Sequence, residues 1–220
     1  MKNKLIKKVI IIVIVVIAVV IAVPLALRRE RSPLKRTFTN EDFGIETYVS
    51  SVDKDGDGID DQTDILENVR AYIDTKPVYK SAYYNGGYPD DGYGTCVDVV
   101  GAGLKGAGYD LMELVSADIE EHPEAYDADA GDKNIDFRRV RNLKVYFERN
   151  AIVLTKDIKK REEWQGGDIV VFNKHIAVVS DTRNADGIPY IIHHYSRNQK
   201  SYEEDAMRSW GEVLGHYRVS

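Results

Sequence analysis

The chain has 220 residues, a formal net charge of −6, 43% hydrophobic residues and one cysteine, which is apolar material enough for one folded domain and far too little cysteine for a disulfide scaffold. Charge is divided unevenly: residues 1–36 hold nine Lys and Arg against Glu30 alone, a balance of +8, which leaves −14 on the remainder. That acidic remainder offers no basic stripe for a phosphate backbone, so nucleic acid is excluded as a partner, and no fixed period marks a repeat protein.

In chain order, Lys2, Lys4, Lys7 and Lys8 precede an uncharged run over 9–27 composed mostly of Val, Ile, Leu and Ala. About 20 apolar residues cross a bilayer. The expectation is a cytoplasmic tail over 1–8, a single-pass transmembrane signal-anchor over 9–27, and an extracytoplasmic remainder in the cell membrane. The competing reading is a secreted protein whose signal peptide is cleaved after Val20-Ile21-Ala22. Arg28, Arg29, Arg31, Lys35 and Arg36 fit lipid headgroups, and the polar stretch 28–47 reads as a juxtamembrane linker.

Residues 53–64 read Asp-Lys-Asp-Gly-Asp-Gly-Ile-Asp-Asp-Gln-Thr-Asp. Oxygen ligands at loop positions one, three and five, glycine at six and carboxylates at nine and twelve are the pattern of a twelve-residue calcium loop. Asp53, Asp55, Asp57, Asp61 and Asp64 take the side-chain places, and Ile59 offers its carbonyl. Position twelve is Asp rather than Glu and position eight is Asp60 rather than an apolar residue, so the loop resembles dockerin-type or thrombospondin-type loops. Ile65, Val69, Tyr72 and Ile73 follow at helical spacing. A calcium-loop and helix extension is therefore expected over 48–75, with a structural ion and no organic cofactor.

Tyr79, Tyr83, Tyr84, Gly86, Gly87, Tyr88, Gly92 and Gly94 give the next stretch the character of an ordered aromatic loop, leading into Thr95-Cys96-Val97-Asp98. Thr95 is a good N-cap and Asp98 stands where it can reach back to the cap amide, so Cys96 becomes the first residue of a helix. The dipole there is expected to lower the thiol pKa. Val99, Val100, Leu104 and Ala107 form its buried face. Gly101, Gly103 and Gly106 weaken the helix and call for close packing against a sheet. In an extracytoplasmic protein a cysteine without a partner is a candidate nucleophile.

Downstream, Gly167-Asp168 opens an apolar strand over 169–172, a tight Asn173-Lys174 connection leads to a strand headed by His175, and a third strand over 190–194 ends in His193-His194. The three make an antiparallel meander. Adjacent strand residues face opposite ways, so only one of His193 and His194 meets His175: a two-residue Asp186-Gly187 turn selects His194, and a loop one residue longer selects His193. His216 reads as an edge-strand residue and His122 as surface. Arg138 and Arg139 offer a bidentate grip on a substrate carboxylate, or a solvated ion pair.

Cys at a helix start, a Gly-Asp-apolar strand, His at a strand head and then Ile191-Ile192-His193 resemble the NlpC-type cell-wall cysteine peptidases. Tyr83-Tyr84-Asn85-Gly86-Gly87 matches their Tyr-x-x-Gly-Gly stretch. The chain more closely resembles the bacterial family catalogued as domain of unknown function 1287, through Asp-Gly-Asp-Gly-Ile-Asp-Asp near residue 57, Cys96-Val97-Asp98-Val99-Val100, Asn134-Ile135-Asp136-Phe137-Arg138-Arg139-Val140, Gly167-Asp168-Ile169-Val170 and Gly215-His216-Tyr217-Arg218. The resemblance implies an α+β, papain-like domain over 76–220 with the Cys-bearing helix packed on an antiparallel sheet. It implies Cys96 as nucleophile, His175 as general base, His193 as its orienting partner with His194 as the alternative, and Tyr83 or Tyr84 beside the Cys96 amide in an oxyanion hole. The Asp-Cys-Ser-Gly of the NlpC-type enzymes is replaced by Thr95-Cys96-Val97-Asp98, so substrate handling near the thiol differs. The expected function is hydrolysis of an amide bond in cell-wall peptides; an acyl or amide transferase on the same fold and a non-catalytic wall-binding module are the alternatives.

Overall fold

In the computed structural model, which describes residues 36–219, helix α1 (Asp61–Asp74) starts at Asp60, whose carboxylate accepts from the Thr63 amide. Its apolar positions Ile65, Val69 and Ile73 are buried, as the helical spacing predicts. Helix α2 (Cys96–Gly106) packs against α1 on one side and the central sheet on another. Gly103 and Gly106 serve the helix pair rather than the sheet: a Cβ at Gly103 would stand 2.4 Å from a Val69 methyl, and one at Gly106 2.1 Å from Asn68. The low helical propensity is thus offset by close helix–helix contact. Helices α3 (Leu111–Glu121), α4 (Lys133–Asp136) and α5 (Val140–Asn150) complete the helical side.

Strands β1 (Val78–Tyr79) and β2 (Tyr93–Gly94) pair in parallel and close the aromatic loop just before Cys96. The main sheet contains β3 (Ile152–Val153), β4 (Ile169–Phe172), β5 (His175–Arg183), β6 (Pro189–Ile192), β7 (Glu203–Glu204) and β8 (Gly215–Arg218), in the order β3-β8-β4-β5-β6-β7 with every pair antiparallel. The architecture is α+β, and the expected β4-β5-β6 meander forms its middle. One correction follows from β8, which lies between β3 and β4: His216 is interior and fully buried, not an edge residue.

Strand alternation gives the sheet two apolar faces. Ile169, Val171, Ile176, Val178 and Ile192 meet the helices, while Val170, Phe172, Ala177, Val179 and Ile191 meet Trp164, Ile188 and Met207. The compact unit begins at Thr37. Phe38 exchanges backbone hydrogen bonds with Arg183 at 2.9 and 2.7 Å, so the middle of the expected 28–47 linker is laid against β5. The expected tail and signal-anchor lie outside the described residues, among which no helix is long and apolar enough to cross a membrane.

Candidate active site

The start of α2 is fixed from three directions. Asp98 accepts from the Thr95 amide at 2.8 Å and the Thr95 hydroxyl at 2.9 Å, which ties the first turn to its cap. The same carboxylate takes a two-pronged hydrogen bond from Arg138, Nε at 2.8 Å and Nη2 at 2.9 Å, with both side chains almost wholly buried. Arg138 also donates to the Ala82 carbonyl at 2.7 Å and lies under the Tyr84 ring, 4.9 Å from its centroid. Arg138 is therefore a structural ion-pair partner, not a free cation awaiting a carboxylate. Upstream, a Cβ at Gly94 would fall 2.1 Å from the Tyr72 hydroxyl, so only glycine lets the chain enter the helix here.

Cys96 is half-buried, and its sulfur lies against the backbone amides of Ile176, Val97 and Cys96 itself. Burial dominates and pushes the thiol up to about 11; the Ile176 amide opposes, Asp98 adds to the rise, and the helix's own amides oppose again. The expected lowering is thus reversed. A helix N-terminus stabilises a thiolate only where water or a cation assists, and here an apolar surround and a neighbouring carboxylate outweigh three amides. Iodoacetamide labelling of Cys96 in the folded protein is accordingly expected to rise only above pH 8.5, and at pH 7 to run on the order of 100-fold slower than a free thiol. Labelling half-maximal at or below pH 8.5 would contradict this.

The histidine ambiguity resolves through register. Val178 stands opposite Ile192 and Val179 opposite Ile191, so odd residues of β5 share a face with odd residues of β6. His175 Nε2 meets His193 Nδ1 at 2.8 Å, whereas His194 turns to the other face, edge-on to Tyr79 and Tyr202. The turn is the longer of the two options: Arg183 pairs with Pro189 and the Asn184 amide donates to the Ile188 carbonyl, so three residues form the loop, and the irregularity between Val179 and Arg183 leaves odd residues facing odd residues. The His175 ring stacks on Trp210 with centroids 3.7 Å apart, and His193 meets the same indole edge-on. Burial, reinforced by His193, lowers His175 to about 3, and burial with His194 lowers His193 to about 4, so both are neutral at physiological pH.

Sequence reasoning missed Glu204. Its carboxylate stands 3.4 Å from His193 Nε2, which has no hydrogen-bond partner among the described residues. A proton on that nitrogen makes His193 Nδ1 the acceptor of His175 Nε2–H and leaves the His175 Nδ1 lone pair free to take a proton. Nothing in the Glu203-Glu204 dipeptide signals this, since the pairing of β7 with β6 creates it. The imidazoles occupy the Trp210 side of the sheet while α2 packs the opposite side; the thiol meets β5 at Ile176, the residue after His175.

The remaining candidates divide. Tyr84 donates its hydroxyl to Asp91 at 2.9 Å, while the exposed Tyr83 hydroxyl lies 3.1 Å from Asn134. Arg139 is paired with Asp136 at 3.0 Å and donates to the Asp129 carbonyl at 2.7 Å. His122 contacts Glu121 and Glu124. His216 stacks on Trp164 with centroids 3.6 Å apart, and bonds Asp168 and the Thr155 carbonyl. Asp168 is a buried hub that also takes Arg218, Gln62 and the Gln165 amide. The Gly167-Asp168 motif therefore fastens α1 to the sheet. Gly167 has φ +91°, and a Cβ there would meet the Gln62 carbonyl at 2.4 Å.

In the acidic loop, oxygens of Asp53, Asp55 and Asp57 lie within 4.8 Å of one another, all three exposed. Asp53 accepts from the amides of Gly56, Asp57 and Gly58, which curls the loop around its carboxylate. Asp64 is buried and pushed up to about 6 by burial and then by the charges of Asp57 and Asp55, so a fourth carboxylate crowds the cluster. Asp61 is drawn away: it accepts from the Lys54 amide at 2.7 Å and from the Tyr109 hydroxyl.

Compared with known proteins, residues 66–219 match a family described as domain of unknown function (DUF1287). The chain is 36% identical over 167 residues to the uncharacterized protein YijF of Escherichia coli (strain K12), covering 70% of this chain and 80% of that one. No solved structure matches.

Proposed function

The chain belongs to the DUF1287 family, and from its site we propose that it is a membrane-anchored, extracytoplasmic cysteine amidase or peptidase with a papain-like, NlpC-type domain, cleaving amide bonds of cell-wall peptides. One observation carries the reading: the helix-start thiol abuts the Ile176 amide at the head of β5, where the preceding residue, His175, turns to the other face of the sheet with its Nε2 held by His193 at 2.8 Å. In the reaction, Cys96 Sγ attacks the scissile carbonyl carbon and its proton leaves through a water at the head of β5 to His175, whose ring lies across the sheet from the thiol. The Cys96 amide donates to the developing oxyanion. Collapse breaks the C–N bond, His175 returns the proton by the same path to the departing amine, and a thioester remains. Water, deprotonated by His175, then hydrolyses it. Because thiol and imidazole are both neutral at rest, proton transfer accompanies attack instead of preceding it.

The test is mass spectrometry of purified wall fragments incubated with the full-length protein. New amine and carboxylate termini of one bond type support hydrolysis. Fragments joined to an added amine would assign a transferase, and unchanged fragments with retained binding would assign a wall-binding module.

The acidic loop is proposed to hold one structural calcium through Asp53, Asp55, Asp57, Asp64 and the Ile59 carbonyl. The converging oxygens and the crowding at Asp64 support it, and Asp61 stays with Tyr109. Calcium at about 100 times its dissociation constant adds about 2.7 kcal/mol. For a domain of this size the melting temperature is expected to rise by about 5–10 °C over that in excess chelator. Identical melting in both would remove the ion.

A further inference from the structure

A cavity of about 620 Å³ opens between the start of α5 and the β4–β5 turn. Its floor is apolar, with Val171, Phe172 and Leu214, while Arg139, Arg141, Lys144 and Lys174 supply cations and no carboxylate lines it among the described residues. Of the four, only Lys174 has no ion pair among the described residues. Arg139 and Arg141 are held by Asp136, Asp129 and Asp127, which stand outside the lining and fix both guanidinium groups in place. Lys144 is 3.9 Å from Glu148, and Lys174 sits at the turn with φ +61°. The N-cap of α5 is Arg139, whose side chain accepts nothing from the first turn, so the positive end of that helix adds to the field.

The cavity adjoins the candidate base. Lys174 immediately precedes His175, and Phe172 stands directly opposite His175 in the β4–β5 ladder, with ring centroids 6.3 Å apart. We propose that this cavity binds the carboxylate-bearing aliphatic arm of an acidic peptide, and so selects the substrate delivered to Cys96 and His175. The inference rests on the hydrolase reading for the reaction and on the cavity for the ligand. With both guanidinium groups engaged by aspartates, the lysine ammonium groups suit a carboxylate, and the apolar floor suits the methylenes that carry it.

The experiment uses the full-length Cys96→Ala protein, which binds without turnover, and a mixture of wall peptides either untreated or methyl-esterified at every carboxyl. Retained peptides are identified by mass spectrometry and their affinities measured. Retention of carboxylate-bearing peptides is expected, falling at least tenfold on esterification and at least tenfold when Lys144→Gln and Lys174→Gln are added. Both lysines are surface side chains, so the fold is not at stake. Retention indifferent to esterification or to the lysine changes, or no retention from either mixture, overturns the proposal. Selective retention together with no cleavage by the Cys96 protein would instead sink the hydrolase reading and leave the cavity assignment standing.

Discussion

Replacing Cys96 by alanine is expected to lower turnover of a wall-peptide amide by on the order of 10⁵-fold or more, the scale seen when a covalent nucleophile is removed. Stability should change by less than about 1 kcal/mol, because a half-buried sulfur is exchanged for a small apolar group and the Ile176 amide loses only a weak sulfur acceptor. Paired activity and denaturant measurements separate the two effects. His175→Gln should lose nearly as much activity, since the thiol held at about 11 cannot ionise unaided at neutral pH. Glu204→Gln should lose less, because it acts on His175 only through His193. Full turnover by the alanine variant would end the cysteine mechanism.

Much of this arrangement was legible in the sequence because it is local. The Thr95–Asp98 cap, the calcium-type spacing over 53–64, and the alternation of β4, β5 and β6 are each written within a dozen residues. The choice of His193 over His194 was not, since it depends on whether the β5–β6 loop holds two residues or three, and only the Arg183–Pro189 pairing shows that Ala185 joins Asp186 and Gly187 in it. The direction of the thiol shift was misjudged for a related reason. Helix position is readable from the chain, but desolvation is set by the whole apolar surround, and at Cys96 it outweighs the amides. Glu204, Arg138 and His216 likewise acquire their partners only when distant segments meet.

Asp98→Ala is expected to cost about 3–5 kcal/mol, the scale for stripping one partner from a buried ion pair, with about 1 kcal/mol more for the lost helix cap. The reason lies in what remains. Arg138 would keep its hydrogen bond to the Ala82 carbonyl but hold an uncompensated charge with only 3% of its side chain exposed. For a domain of this size the melting temperature should fall by about 8–24 °C. Asp98→Asn keeps oxygen and shape, so it should preserve part of the cap while still losing the ion pair, and land between alanine and wild type. The substitution also reads out on the thiol. Asp98 is among the causes that raise the Cys96 pKa, so in Asp98→Asn iodoacetamide labelling should begin at lower pH than in the parent, although burial keeps it above the free-thiol range. A loss under about 1 kcal/mol for Asp98→Ala, or a labelling profile that does not move in Asp98→Asn, would show that the carboxylate neither anchors Arg138 nor faces the sulfur.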